Sequence, residues 1–298
     1  MHFIQRAAIV FLLLLAPQTL AWQAAPAPGG PIVVTLPGKP DSVRFVAIGD
    51  MGTGEMEQYQ VAARMEEFRR KLPYTFVLTL GDNIYGGKSA ADLMKKFEIP
   101  YKLLLDAGVL FYATLGNHDD TNERFYKWFN MNGKQYYAFT KGNVRFFALD
   151  TNYLDPKQLA WLEQELAAAT EPWKICYFHH PLYSSGGYHG SATELRKVLE
   201  PLFVKYGVQA VFAGHEHVYE RVKAQKGIYY FTEGAAGELR AGDLRQKGLT
   251  EIGFDKDRSF LTIEISGDDL YYQAVSRMGV TVDSGIIRRP GAPPPDPR

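Results

Sequence analysis

Five short stretches of the 298-residue chain gather residue types that can hold cations or move protons: Gly49-Asp50-Met51-Gly52, Gly81-Asp82-Asn83-Ile84-Tyr85, Gly116-Asn117-His118-Asp119, Phe178-His179-His180-Pro181 and Gly214-His215-Glu216-His217. Carboxylate and phenolate oxygens are hard donors suited to highly charged cations, while amide oxygen and neutral imidazole build a pocket of lower charge. Each stretch alone has an ordinary explanation. Gly-Asp after a strand is a common turn, because glycine allows positive φ and aspartate bonds to nearby backbone. In His215-x-His217, alternate residues of an extended segment face opposite ways, so one ring could be a satisfied core histidine. Together the stretches would bring Asp50, Asp82, Tyr85, Asn117, His179, His215 and His217 into one crevice. Desolvating the charged members would cost several kcal/mol each unless cations compensate.

For these side chains to meet, each stretch must close a strand, since an open α/β sheet places its ligands outside the carboxyl ends of its strands. The pattern supplies such strands. Arg44 to Ile48, Thr75 to Leu80, Leu110 to Thr114, Lys174 to Phe178 and Gln209 to Ala213 are runs of β-branched, aromatic and aliphatic residues, and each leads directly into one of the stretches. Helical spacing occupies Glu57 to Lys71, Leu93 to Asp106 with a break at Pro100, Pro156 to Ala168 and Ala192 to Tyr206, and further strands are expected at Gln135 to Thr140 and Val144 to Leu149. Strand and helix therefore alternate as in βαβ units. After Gly214 only strand-like runs remain, at Ile228 to Thr232, Phe260 to Ile265 and Leu270 to Ala274, which predicts a second, more antiparallel sheet. The expected fold is α/β, with two packed sheets flanked by helices.

In order and identity the five stretches resemble the signature of the calcineurin-like metallophosphoesterases, and Tyr85 three residues after Asp82, with Gly214-His215-Glu216-His217-Val218-Tyr219-Glu220, resembles its purple acid phosphatase variant. The resemblance implies a four-layer αββα sandwich of two mixed β-sheets. It implies that Asp50, Tyr85 and His217 hold Fe(III), that Asn117, His179 and His215 hold a divalent metal (Fe, Zn or Mn), and that Asp82 bridges the two. The activity implied is hydrolysis of small phosphate monoesters, with metal-bound hydroxide attacking phosphorus in line. His118 and His189, the latter in the glycine-rich loop Ser184 to Gly190, are the candidates for substrate-side acid catalysis. His180 is expected to pack beside His179, Glu216 to orient the flanking histidines, Asp119 and Asp120 to cap the next helical stretch, and Asp150, Thr151 and Asn152 to support the site from behind. Two other functions remain open on the same residues: a phosphodiesterase or nucleotidase, and a silent phosphate-binding module. Protein-serine/threonine phosphatase activity is disfavoured, because Asn83-Ile84-Tyr85 stands where that family has Asp-Arg-Gly.

Composition narrows the setting. Lys plus Arg (33) equals Asp plus Glu (33), so nothing marks the chain for nucleic acid or an anionic membrane, and 46% apolar residues suffice for a large core. Residues 1–21 read as a signal peptide: Arg6, the apolar run Ala7 to Ala16, and Thr19-Leu20-Ala21 before the cut. Ten apolar residues are too few to span a bilayer, so no stable membrane anchor is expected, and the mature protein would be secreted or periplasmic. The Pro-, Ala- and Gly-rich residues 22–41 read as a linker, 42–287 as one catalytic domain, and 288–298 as a Pro-rich tail. Cys176 is the sole cysteine, which rules out an intrachain disulfide and suggests a buried strand residue.

Overall fold

The computed structural model describes residues 28–292 apart from 88, 246 and 247; the expected signal peptide and the end of the tail lie outside the described residues. Among the described residues thirteen strands form two sheets. Residues 43–177 contribute β1 (Val43–Ile48), β2 (Phe76–Leu80), β3 (Leu110–Thr114), β4 (Tyr137–Lys141), β5 (Val144–Ala148) and β6 (Trp173–Tyr177). Residues 210–288 contribute β7 (Ala210–Ala213), β8 (Tyr219–Val222), β9 (Tyr229–Glu233), β10 (Thr250–Phe254), β11 (Ser259–Ser266), β12 (Asp269–Ser276) and β13 (Thr281–Arg288).

One sheet has the order β13-β12-β11-β1-β2-β3 and the other β10-β8-β9-β7-β6-β5-β4. Both are mixed. β1, β2 and β3 run parallel, as do β5, β6, β7 and β9, and the remaining pairs are antiparallel. The sheets lie face to face with helices outside, giving the four-layer αββα sandwich. The late strands do not make a sheet of their own, as the sequence suggested. β11, β12 and β13 extend the first sheet from the edge of β1, whereas β8, β9 and β10 extend the second. Alternating hydrophobicity reports which faces are buried and leaves the pairing partner open.

Between the sheets the core is aromatic. Phe45 of β1 stacks on Phe76 of β2 (5.2 Å between ring centres) and meets Phe146 of β5 edge to face at 5.3 Å. The helix Met56–Lys71 buries Val61, Met65 and Phe68, the last against Phe260 of β11. The helices Pro156–Ala168 and Thr193–Tyr206 cover the second sheet, where Leu162, Leu166, Leu199 and Phe203 join the buried Cys176 and Phe178. Asp155 starts the first of these by accepting from Gln158 N at 2.7 Å, with Pro156 at the first helical position.

From residue 28 onward, the segment expected as a linker is laid against the domain. Ile32 and Leu36 are buried, Ile32 N donates to Glu67 Oε1 and Thr35 N to Gln273 Oε1, both at 2.9 Å. Ile32, Val34 and Leu36, with these hydrogen bonds, dock a stretch otherwise rich in Pro and Gly. Among the described residues no helix is long and apolar enough to cross a membrane.

Candidate metal centre

The loops after β1, β2 and β3 of one sheet and after β6 and β7 of the other meet at one end of the sandwich. Backbone bonds tie them together: Asp50 N donates to Gly81 O (3.0 Å), Met51 N to Asp82 O (3.1 Å) and Gly214 N to His179 O (2.9 Å). Asp50, Asp82 and His215 take left-handed backbone (φ 53°, 50° and 70°), each directly after a glycine. Non-glycine residues there cost on the order of 1–3 kcal/mol each and persist where the surroundings enforce them. Two glycines are required by space. A side chain at 116 would overlap Asp82 Oδ1, and a Cβ at 214 would lie 2.5 Å from Asp50 Oδ2.

All seven residues singled out as donors come together. Tyr85 Oη lies 3.0 Å from Asp50 Oδ1, 3.1 Å from Asp82 Oδ2 and 3.2 Å from His217 Nε2, and His217 Nε2 is 3.2 Å from Asp50 Oδ1. On the other side His179 Nε2 sits 3.0 Å from Asn117 Oδ1 and 3.0 Å from His215 Nδ1. The two groups join through Asp82 Oδ2, which is 3.5 Å from His179 Nε2. Two sets of three donors thus flank one carboxylate. His179 Nδ1 donates to Leu80 O at 2.9 Å, which leaves the Nε2 lone pair facing the cluster.

The cluster is electrostatically unfinished. Burial, reinforced by the carboxylate of Asp82, pushes Asp50 well above the usual carboxylate range. Burial and then His180 hold His179 well below the usual imidazole range; burial and then His179 do the same to His215. Burial, then Arg240, lowers His217 to about 4. Burial, then Asp50 and Asp82, raises Tyr85. Neutral imidazoles are the ligating form, and two mutually repelling buried carboxylates call for positive charge between them. The donor set fits a pair of cations, one among oxygens with one imidazole, the other among two imidazoles and an amide.

The supporting residues differ in part from expectation. His118 is exposed, its ring 4.9 Å from that of Tyr85, and its N–H donates to Asp82 Oδ1 at 2.9 Å. His189 is exposed beside the other donor set and stacks on His215 at 3.9 Å. His180 lies closer to the centre than a packing residue need be: its ring is 4.4 Å from that of His215, and its Nδ1 is 2.9 Å from Thr151 Oγ1. His179, His180 and His215 also form a triad with ring nitrogens mutually within 4.8 Å. Glu216 does not hold the flanking histidines. Its Oε1 accepts from His189 N (2.8 Å) and Gly190 N, so it fixes the glycine-rich loop. Asp119 is not the cap; it accepts from Gly116 N, Ile84 N and Asn83 Nδ2 and locks two donor loops together, while Asp120 caps the helical turn Thr121–Phe125. Asp150, Thr151 and Asn152 line, with Asn117 and His180, a cavity of about 350 Å³ beside the centre.

Arg240 escaped the sequence reading. Its N–H donates to His217 O (3.0 Å), its Nη1 to His215 O (3.4 Å), and it lies 4.0 Å from Glu216 Oε2. It sits in an irregular loop where no motif marks it.

This geometry has known counterparts. Residues 43–219, more than half of the chain, match the Calcineurin-like phosphoesterase family. The chain belongs to that family. As a calcineurin-like phosphoesterase it is a metal-dependent phosphoric ester hydrolase. It is 27% identical over 303 residues to tartrate-resistant acid phosphatase type 5 of Mus musculus, covering 84% of this chain and 91% of that one. It is 28% identical over 247 residues to purple acid phosphatase 17 of Arabidopsis thaliana, covering 70% and 72%. Among solved structures, purple acid phosphatase PPD1 from yellow lupin seeds superposes with a TM-score of 0.68 at 21% identity, over 85% of this chain and 55% of that one. GAP50, the anchor in the inner membrane complex of Plasmodium, superposes at 0.73 with 20% identity, over 83% and 89%. These superpositions establish the fold; the argument for chemistry rests on the donors.

Proposed function

We propose that this calcineurin-like phosphoesterase is an exported phosphomonoesterase of the purple acid phosphatase type. The observation that carries the reading is the sharing of Asp82 Oδ2 between two donor sets, one of which contains the Tyr85 phenol. Asp50, Tyr85 and His217 would hold Fe(III), Asn117, His179 and His215 a divalent Fe, Zn or Mn, and Asp82 both. A phenol pressed between two carboxylates keeps its proton unless strong positive charge enters, so Tyr85 is suited to a trivalent ion. When bound, the two cations supply Lewis acidity toward a phosphoryl oxygen and lower the pKa of bound water.

The chain's own residues do the rest. Arg240, beside a centre in a protein with no net charge, draws a phosphate dianion locally. His118 stands beside Tyr85 and His189 beside His215, where an imidazole can bond a phosphoryl oxygen or hand a proton to the departing alkoxide. Water oxygen bonds to phosphorus as the ester P–O bond breaks, the leaving oxygen takes the imidazole proton, and of the two water protons one stays on the phosphate product while the other restores the imidazole. Export is supported by Arg6, the apolar run Ala7 to Ala16 and the small residues at 19–21.

Elemental analysis joined to a visible spectrum and a panel of aryl monoesters, aryl diesters and nucleotides tests the reading. Expected are one iron and one divalent metal per chain, a visible band that vanishes in Tyr85→Phe, inversion at a chiral phosphorus, and fastest turnover of monoesters. Dominant diester turnover would refute the monoester preference, and a colourless, inert protein after supply of iron and zinc would refute the whole. N-terminal sequencing of the mature protein should begin near Trp22.

A further inference from the structure

A row of rings leads from the donor cluster to solvent. His215, whose Nδ1 faces His179 Nε2, is covered at 3.9 Å by the His189 ring, and His189 in turn meets Tyr188 edge to face at 4.5 Å. The row ends there: Tyr188 keeps 67% of its surface exposed. Its position is held. The Arg240 guanidinium lies 4.0 Å from the centre of the Tyr188 ring, while the arginine's main chain is bonded to His217 and the Tyr188 loop is fastened by Glu216 and by Gly187 N on Asp243 O at 2.9 Å. Tyr188 thus presents a large aromatic surface to solvent, one histidine away from the donor cluster and held in place by Arg240 and the His189 ring.

We infer that Tyr188, backed by Arg240, is the stacking platform for the leaving group and gives the enzyme a preference for phosphate esters of planar aromatic alcohols. The inference rests on the proposed phosphomonoesterase reading and adds the class of alcohol. A planar leaving group attached to a phosphoryl held over the metal donors reaches past His189 onto the outer ring. There it gains offset stacking with a side chain that loses little freedom, since Arg240 already holds it. An aliphatic alcohol reaches the same place and finds no matching face.

The test compares phenyl phosphate with glycerol phosphate, both assayed with the full-length metal-loaded enzyme and with three Tyr188 variants. Tyr188→Ala and Tyr188→Leu should raise KM for phenyl phosphate about 3- to 10-fold. KM for glycerol phosphate should stay within about twofold, because that alcohol has no planar face to stack. Tyr188→Phe should keep the wild-type preference, because the π face is retained. Tyr153, equally exposed at 67% but on the lip of the neighbouring cavity, serves as the control. Equal shifts for both esters in Tyr188→Leu, or a selective loss in Tyr153→Ala with none at Tyr188, would overturn the inference while leaving the phosphomonoesterase reading intact. Failure of the wild type to hydrolyse either ester would overturn both.

Discussion

The two sheets carry opposite chemistry at two neighbouring levels. At one level β1, β2, β5 and β7 present Phe45, Phe76, Phe146 and Phe212, whose rings stack or meet edge to face across the gap between the sheets. A few residues onward, beyond the carboxyl ends of β1, β2, β6 and β7, the chain presents Asp50, Asp82, His179 and His215, with buried like charges and three left-handed backbones. The apolar level stabilises: burying each phenylalanine is worth about 1.5–3 kcal/mol, and each ring pair adds about 0.5–1.5. The donor level destabilises until positive charge arrives, because buried carboxylates lacking cations are costly. A stabilising aromatic layer therefore sits next to a costly donor layer carried on the carboxyl ends of the same sheets.

The comparison breaks most completely at Asp82. Asp82→Ala should abolish retention of both metals and take hydrolysis to background, because one oxygen joins the two donor sets. Metal content of the purified variant checks this, and retention of a single metal would show that the sets are independent. At the other level, Phe146→Ala should remove about 3–5 kcal/mol of stability by leaving a cavity against Phe45, Phe76 and Phe139. Urea unfolding measures that loss. The fraction still folded should bind metal in the wild-type ratio; altered stoichiometry would mean the two levels are mechanically coupled. A smaller effect is expected at Glu216, whose carboxylate bonds the His189–Gly190 loop rather than the donors. Glu216→Ala frees the His189 and Gly190 amides and should lower kcat about 10- to 100-fold with metal content unchanged. Lost metal in that variant would instead place Glu216 in support of His215 and His217.

The two levels also differ in how far they could be read from sequence. The donor stretches were legible because each is local: a buried strand and then the donor, with a glycine between them in four of the five, as in Ile48-Gly49-Asp50 or Leu80-Gly81-Asp82. What the donors need from afar was not. Arg240 reaches the centre through a backbone bond to His217, and nothing in Glu238-Leu239-Arg240-Ala241 announces it. Asp119 and Asp120 are adjacent and chemically identical, yet one locks donor loops and the other caps a helical turn, a choice made by tertiary contacts. The late strands were visible as strands, but β11 pairs with β1 across more than two hundred residues, and only the packed molecule decides that register.

The mildest substitution bears on the cost of the donor level itself. Asp50 is fully buried, and its carboxyl is raised by burial and by Asp82. In chelator, Asp50→Asn removes a buried carboxyl that can ionise only at a cost, while keeping an oxygen that can accept from His215 N, now 2.7 Å away. The metal-free variant should therefore be more stable than the metal-free wild type by about 1 kcal/mol or more. The gap should widen with pH. A folded-state carboxyl raised above its unfolded value of about 3.9 keeps its proton where the unfolded chain has lost it, so this group's contribution is full below that value and is lost as pH rises through the folded value. With metal supplied the order should reverse, since the amide offers the cation less charge. Thermal midpoints of both proteins, with and without chelator at two pH values, give the four comparisons. If the variant melts lower in chelator as well, Asp50 contributes net stability through its hydrogen bonds, and the opposition between the two levels is not electrostatic in origin.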